Sequence, residues 1–202
     1  MHSRPDLGQA PPQQSGALDL LERSIAYCGT TVQLVTVPDL GRATPCEAWC
    51  LGALLRHLDD SLAALDEAAR GGTVALSHLP RRVDDRELVD SICERARGLL
   101  GPWMALHARD RIPGVLLGRR EVPLAVLAAV GALEITLHSW DVGRALGGPR
   151  PVPPALARDL WPVARAHIGA VDRPGRFGAV PSVRPDAGPE ELLLAMAGRT
   201  IH

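Results

Sequence analysis

The chain has 202 residues, 46% of them hydrophobic and 22% charged, with a formal net charge of −1. That length suits one domain with a substantial core, and the near-neutral balance carries no electrostatic footprint for nucleic acid or an anionic membrane surface. All 22 basic residues are arginine, so a Schiff-base lysine and a phosphate-loop lysine are both excluded.

Aromatic residues make up only 3% of the chain, so the core must be built from Leu, Ala and Val. That composition favours packed helices over sheets and predicts an all-α fold. Residues 1–16, rich in Pro, Gln and Gly, read as a tail ahead of a domain over 17–202. The tail lacks the apolar run of a secretory signal. Cys28, Cys46, Cys50 and Cys93 form no CxxC pair, and free thiols in a cytoplasmic protein are the simplest reading.

A first helix is predicted over 17–37, with Leu18, Leu21, Ile25, Cys28, Val32 and Val35 on one stripe. A loop follows, and then Thr44-Pro45-Cys46-Glu47 offers the pattern of a capping box, with Pro at the first helical position. The second helix is expected from there to Arg70, ending at Gly71-Gly72, with Leu51, Leu54, Leu55, Leu58, Leu62 and Leu65 inside. His57 lies off that stripe among small residues, and Asp60, one turn on, is placed to orient its imidazole. A linker over 73–83 leads to a third helix over 84–107, with Leu88, Ile92, Cys93, Leu99, Leu100 and Met104 inward and Pro102 as a kink or break. Residues 114–122, with Gly118 between short apolar pieces, suggest a small hairpin or an extended connector. Pro123 opens a fourth helix ending at Gly147-Gly148, Pro153 a fifth reaching Gly169, and a short terminal helix is expected near 190–197.

The fourth helix carries the chemistry. Residues 122–133 hold no charge, and the chain then places Glu134, His138 and Asp141 at i, i+4 and i+7, on one helical face. Ionisable groups in apolar surroundings need a partner, and a divalent metal with a further ligand from elsewhere is one such partner. A buried Glu–His pair holding two helices in register is another. His57, on an independent helix, is the best candidate for the further ligand. His2 and His202 are terminal, His78 lies in the linker, and His107 and His167 fall near helix ends. Asp141 is a third ligand from the same helix or a salt-bridged support.

Thr44-Pro45-Cys46-x2-Trp49-x4-Leu54-x2-His57, followed by Glu134-x3-His138-x-Trp140-Asp141, resembles the DinB-like superfamily. More narrowly, the chain is similar to the N-terminal domain of mycothiol-dependent maleylpyruvate isomerases. Arg176-Phe177-Gly178, Pro181 to Pro185 and Leu192 to Gly198-Arg199 match that group's ending. The resemblance covers about 17–200 and is more specific for fold and metal site than for reaction. It implies a four-helix bundle with an extra helix and a short C-terminal extension. A divalent metal, usually Zn2+, would be held by His57, Glu134 and His138, with Asp60 and Asp141, by their positions, as the candidate supports. It further implies thiol activation, with mycothiol as cofactor, for isomerisation or S-transfer on a small electrophilic substrate. A hydrolase using zinc-bound water and a non-catalytic metal- or small-molecule-binding bundle are the alternatives. The expected partners are a small molecule and, through the Leu-rich helices, a second copy in a homodimer; neither nucleic acid nor membrane is expected.

Overall fold

The computed structural model describes residues 14–46, 49–71, 73–74, 83–107, 114–148, 150–173 and 175–201. Its frame is four helices, α1 (Gln14–Val32), α2 (Leu51–Gly71), α3 (Leu88–His107) and α4 (Leu124–Ala145). They close a ring in which α1 meets α4, α4 meets α2, α2 meets α3 and α3 returns to α1. α5 (Pro154–His167) and α6 (Pro189–Met196) pack on each other, and α5 also meets α4 and α1. This is the all-α bundle with flanking helices that the composition predicts.

The leucine spacing explains α2. Leu51, Leu54, Leu55, Leu58 and Leu62 are fully buried and Leu65 nearly so, which is the apolar stripe of an amphipathic helix. α4 is different, since from Gly131 to Gly143 every residue but Glu134 is buried. It has the length and hydropathy of a membrane-spanning segment, yet 67% of its most apolar window is covered by the rest of the protein. A helix apolar on all sides is a central helix or a membrane span, and here the other helices cover it.

Two close approaches set the position of α4. A Cβ on Gly131 would lie 2.7–2.8 Å from the Leu65 methyl carbons, so the missing side chain lets α2 and α4 approach closely. Gly131→Ala is expected to cost about 1–3 kcal/mol from overpacking, although alanine is the better helix former; a urea unfolding midpoint reads the change. On the opposite flank, Thr136 Oγ1 donates to Ser24 Oγ at 2.9 Å, and Ser24 Oγ donates to the Leu20 carbonyl at 2.7 Å. These buried hydroxyls are thereby satisfied.

Several expectations are corrected. α1 begins at Gln14 and stops at Val32, and a 3-10 turn at Val37–Gly41 follows; residues 1–13 of the expected tail lie outside the described residues. α2 begins at Leu51 and not at the Thr44 motif. The Thr44 hydroxyl donates to the Trp49 carbonyl at 2.8 Å and accepts from the Cys46 N–H at 3.2 Å, so it closes a loop instead of capping a helix. The Cys50 carbonyl instead accepts the N–H of Leu54 at 3.0 Å. α3 begins at Leu88 and continues through Pro102 without a break. Met104, expected inside, is 62% exposed, because the buried stripe runs through Ala96, Leu99, Trp103 and Leu106 and turns position 104 outward. The hairpin is present as β2 (Val115–Leu117) and β3 (Arg120–Val122), and β1 (Thr73–Val74), inside the expected linker, adds to β2 in parallel. No disulfide joins any two of the four cysteines.

Candidate metal centre

The close approach of α2 and α4 brings His57 opposite Glu134 as it brings Leu65 opposite Gly131. His57 Nε2 lies 2.7 Å from Glu134 Oε1, and His138 Nε2 lies 3.2 Å from the same oxygen. The two imidazoles stand edge to face, with centroids 5.1 Å apart at 88°. One ligand atom from each of the three residues lies within 4.8 Å of the others. Tetrahedral zinc with bonds near 2.0–2.1 Å separates its donors by about 3.3 Å, so these side chains fit a divalent cation with small rotations. Two imidazoles and one carboxylate form a donor set that suits zinc and its neighbours.

The three groups differ in exposure. His57 and Glu134 keep 36% and 32% of their side chains open to solvent, whereas His138 keeps 9%. The donor set therefore has a wet side and a dry side. Trp49, at the end of the Thr44 loop, lies over both histidines, with its ring centroid 4.5 Å from that of His57 and 6.0 Å from that of His138. A paramagnetic cation bound here is expected to quench Trp49. Titration with Co2+ should therefore lower the tryptophan emission with a stoichiometry of about one, and Trp49→Phe should remove most of that response.

On the dry side, Asp141 is fully buried and its Oδ2 lies 3.1 Å from His138 Nδ1. Arg199 clamps the same carboxylate, donating from Nε to Oδ1 at 2.8 Å and from Nη2 to Oδ2 at 2.6 Å. Such a bidentate pair is among the stronger charge-assisted contacts. Asp141 thus fixes Nδ1 of His138 as a hydrogen-bond donor and leaves Nε2 facing Glu134, the arrangement seen behind metal-bound histidines generally.

The electrostatics follow from these contacts. Burial would raise the Glu134 carboxyl, but hydrogen bonds and positive charge from His138 and His57 outweigh it and hold the group well below the usual carboxylate range. Burial would lower His138, but the carboxylates of Asp141 and Glu134 push it up to about 9. Asp141 likewise resists desolvation and is held low by Arg199 and His138. Without a metal, the cluster is a His+–carboxylate network at neutral pH.

The sequence-predicted residues divide accordingly. His57, Glu134 and His138 come together, and Asp141 is the support behind His138 and not a third donor from the helix. Asp60 makes no hydrogen bond with His57 among the described residues. Its neighbour Asp59 is the buried acid of α2, and it accepts from Arg95 Nε at 2.9 Å and Ser91 Oγ at 3.2 Å. His167 is exposed at the end of α5, and His2, His78, His202 and the His107 side chain lie outside the described residues. Arg199 was legible as part of the tail motif but not as a site residue. The one available signal was a single charged residue just past an apolar terminal helix.

Comparison of the chain with protein-family models, with curated proteins and with solved structures finds no match.

Proposed function

We propose that this protein is a cytoplasmic divalent-metal enzyme, with zinc at His57, Glu134 and His138, that activates a thiol cofactor of the mycothiol type. Its reaction is either reversible addition of the thiolate to an activated double bond, with isomerisation and release of the thiolate, or displacement of a leaving group from a small electrophile to form a thioether. The observation that carries this reading is the convergence of His57 Nε2, His138 Nε2 and Glu134 Oε1 at a site open on the His57–Glu134 side. Three protein donors with room for an exchangeable fourth is the catalytic pattern, whereas structural zinc sites are closed by four. When bound, a divalent cation there lowers the pKa of a thiol or water so that it reacts as the anion near neutral pH.

The chain's own residues supply the rest. Glu134 enters the site already ionised, so no proton has to leave it before a cation binds. Asp141 accepts from His138 Nδ1 and aims Nε2 at the site, and Arg199 keeps Asp141 ionised and fixed. Trp49 covers the two imidazoles and restricts water on that face.

The test is turnover of an activated alkene by the zinc-loaded protein, with mycothiol, with other small thiols and with none. Thiol-dependent turnover that is lost on chelation supports the reading. Turnover without any thiol overturns it in favour of water activation, and metal binding without turnover in either case leaves a binding bundle.

A pH prediction accompanies it. A cation at His138 Nε2 must displace a proton from a group whose pKa is about 9. Displacing that proton is expected to make apparent zinc affinity rise about tenfold per pH unit below about 9 and level off above it. Calorimetry in buffers of different ionisation enthalpy should show at least one proton released per zinc at neutral pH. In the metal-free protein the sign is opposite. The raised His138 contributes stability that is complete below its unfolded pKa of about 6.5 and is lost as pH rises through about 9.

A further inference from the structure

Among the described residues the tail motif reaches the metal centre through Arg199, and it also builds a second concave site. The chain turns at Gly198 with φ +77°, and a Cβ there would lie 2.6–2.7 Å from backbone atoms of Gly178. Only glycine allows this backbone-on-backbone contact. Arg173 fastens the same junction, donating from Nη1 to the Gly178 carbonyl at 2.9 Å and from Nη2 to the Met196 carbonyl at 3.1 Å. Between this clasp and the Thr44 loop lies a cavity of about 360 Å³, lined among others by Cys46, Arg173, Arg176, Phe177, Gly198 and Arg199. That volume is in the range of small-molecule sites.

The charges around the cavity do not cancel. Arg199 is neutralised by Asp141. Arg173 is held by two neutral carbonyls and the Met196 sulfur, so its positive charge keeps no carboxylate partner among the described residues. Arg176 is 76% exposed and forms a long ion pair with Asp172 at 3.6 Å, of the solvent-screened kind that holds an arginine weakly. No Asp or Glu is among the described residues lining the cavity. Guanidinium groups match the planar or tetrahedral oxygens of carboxylate and phosphate better than any other cation of the chain.

We propose that this cavity binds a small oxyanion-bearing molecule, a carboxylate or a phosphate, held by Arg173 and Arg176 and seated against Phe177. The proposal does not depend on the metal reading, since none of His57, Glu134 and His138 lines the cavity.

Calorimetric titration of the full chain with inorganic phosphate and, separately, with malonate at low ionic strength tests it. Saturable binding at one site is expected, and the tighter probe assigns the oxyanion. Arg176→Gln should weaken it about tenfold, the loss of one charge-assisted contact. Arg184→Gln, which removes an exposed arginine beside Asp186 and Glu191 and outside the cavity lining, should leave it unchanged. An anion bound to a metal instead would vanish in His57→Ala and survive in Arg176→Gln, and that pattern overturns the proposal. So does the absence of saturable binding for both probes up to about 10 mM.

Discussion

His57→Ala is expected to lower zinc affinity at least about a hundredfold, because loss of a direct donor should exceed the 10–100-fold cost of losing an outer-shell partner. The fold should tolerate it. His57 is over a third exposed and contributes no core packing comparable to its buried neighbours Leu54, Leu55 and Leu58. In the metal-free protein, Glu134 keeps His138 as a partner at 3.2 Å, so thermal stability without zinc should shift little. Zinc is expected to raise the Tm of the parent, and in His57→Ala that rise should be largely lost, since a ligand stabilises only in proportion to its binding. Metal analysis after dialysis and paired melts with and without zinc read both quantities. Unchanged stoichiometry and an unchanged zinc-induced shift would mean that the 2.7 Å contact with Glu134 is only a helix-pairing ion pair.

Asp141→Ala should be the most destabilising single change at this site. It strips a fully buried guanidinium partner and leaves Arg199 and the protonated His138 without their shared counter-charge. Breaking a buried pair from one side costs about 3–5 kcal/mol, which in a chain of this length corresponds to a fall in Tm of about 10 °C. Replacing both partners with apolar residues, Asp141→Leu with Arg199→Met, should cost clearly less than the sum of the two single changes, because the guanidinium is no longer left buried without its carboxylate and only His138 still loses its acceptor. Additive losses in that double-mutant cycle would show that Asp141 and Arg199 act separately. Zinc affinity gives an independent readout: Asp141→Asn, which keeps an oxygen for His138 Nδ1 but loses the charge, should retain more of it than Asp141→Ala.

The bundle was legible because its signals are local. A leucine every three or four residues over 51–65 states a helix and its buried face together, and all six leucines are buried. The start of α2 was misplaced because Thr, Pro and Glu in that order satisfy the rule for a cap. A loop that closes through the Thr44 hydroxyl and the Trp49 carbonyl uses the same side chain for a different partner. The inward side of α3 was misread at Met104 because a long apolar residue on a helix carries no mark of which face is covered.

By itself the sequence determined that Glu134, His138 and Asp141 share a helical face and that this helix is too apolar to leave them without partners. Periodicity settles the first point and desolvation the second. Tertiary structure alone decided who the partners are. A glycine at 131 lets α2 come close enough to set His57 against Glu134. A glycine pair at 178 and 198 turns the chain so that Arg199 reaches Asp141 across 58 residues. Neither pairing follows from a local rule, because each depends on how closely two backbones can pack.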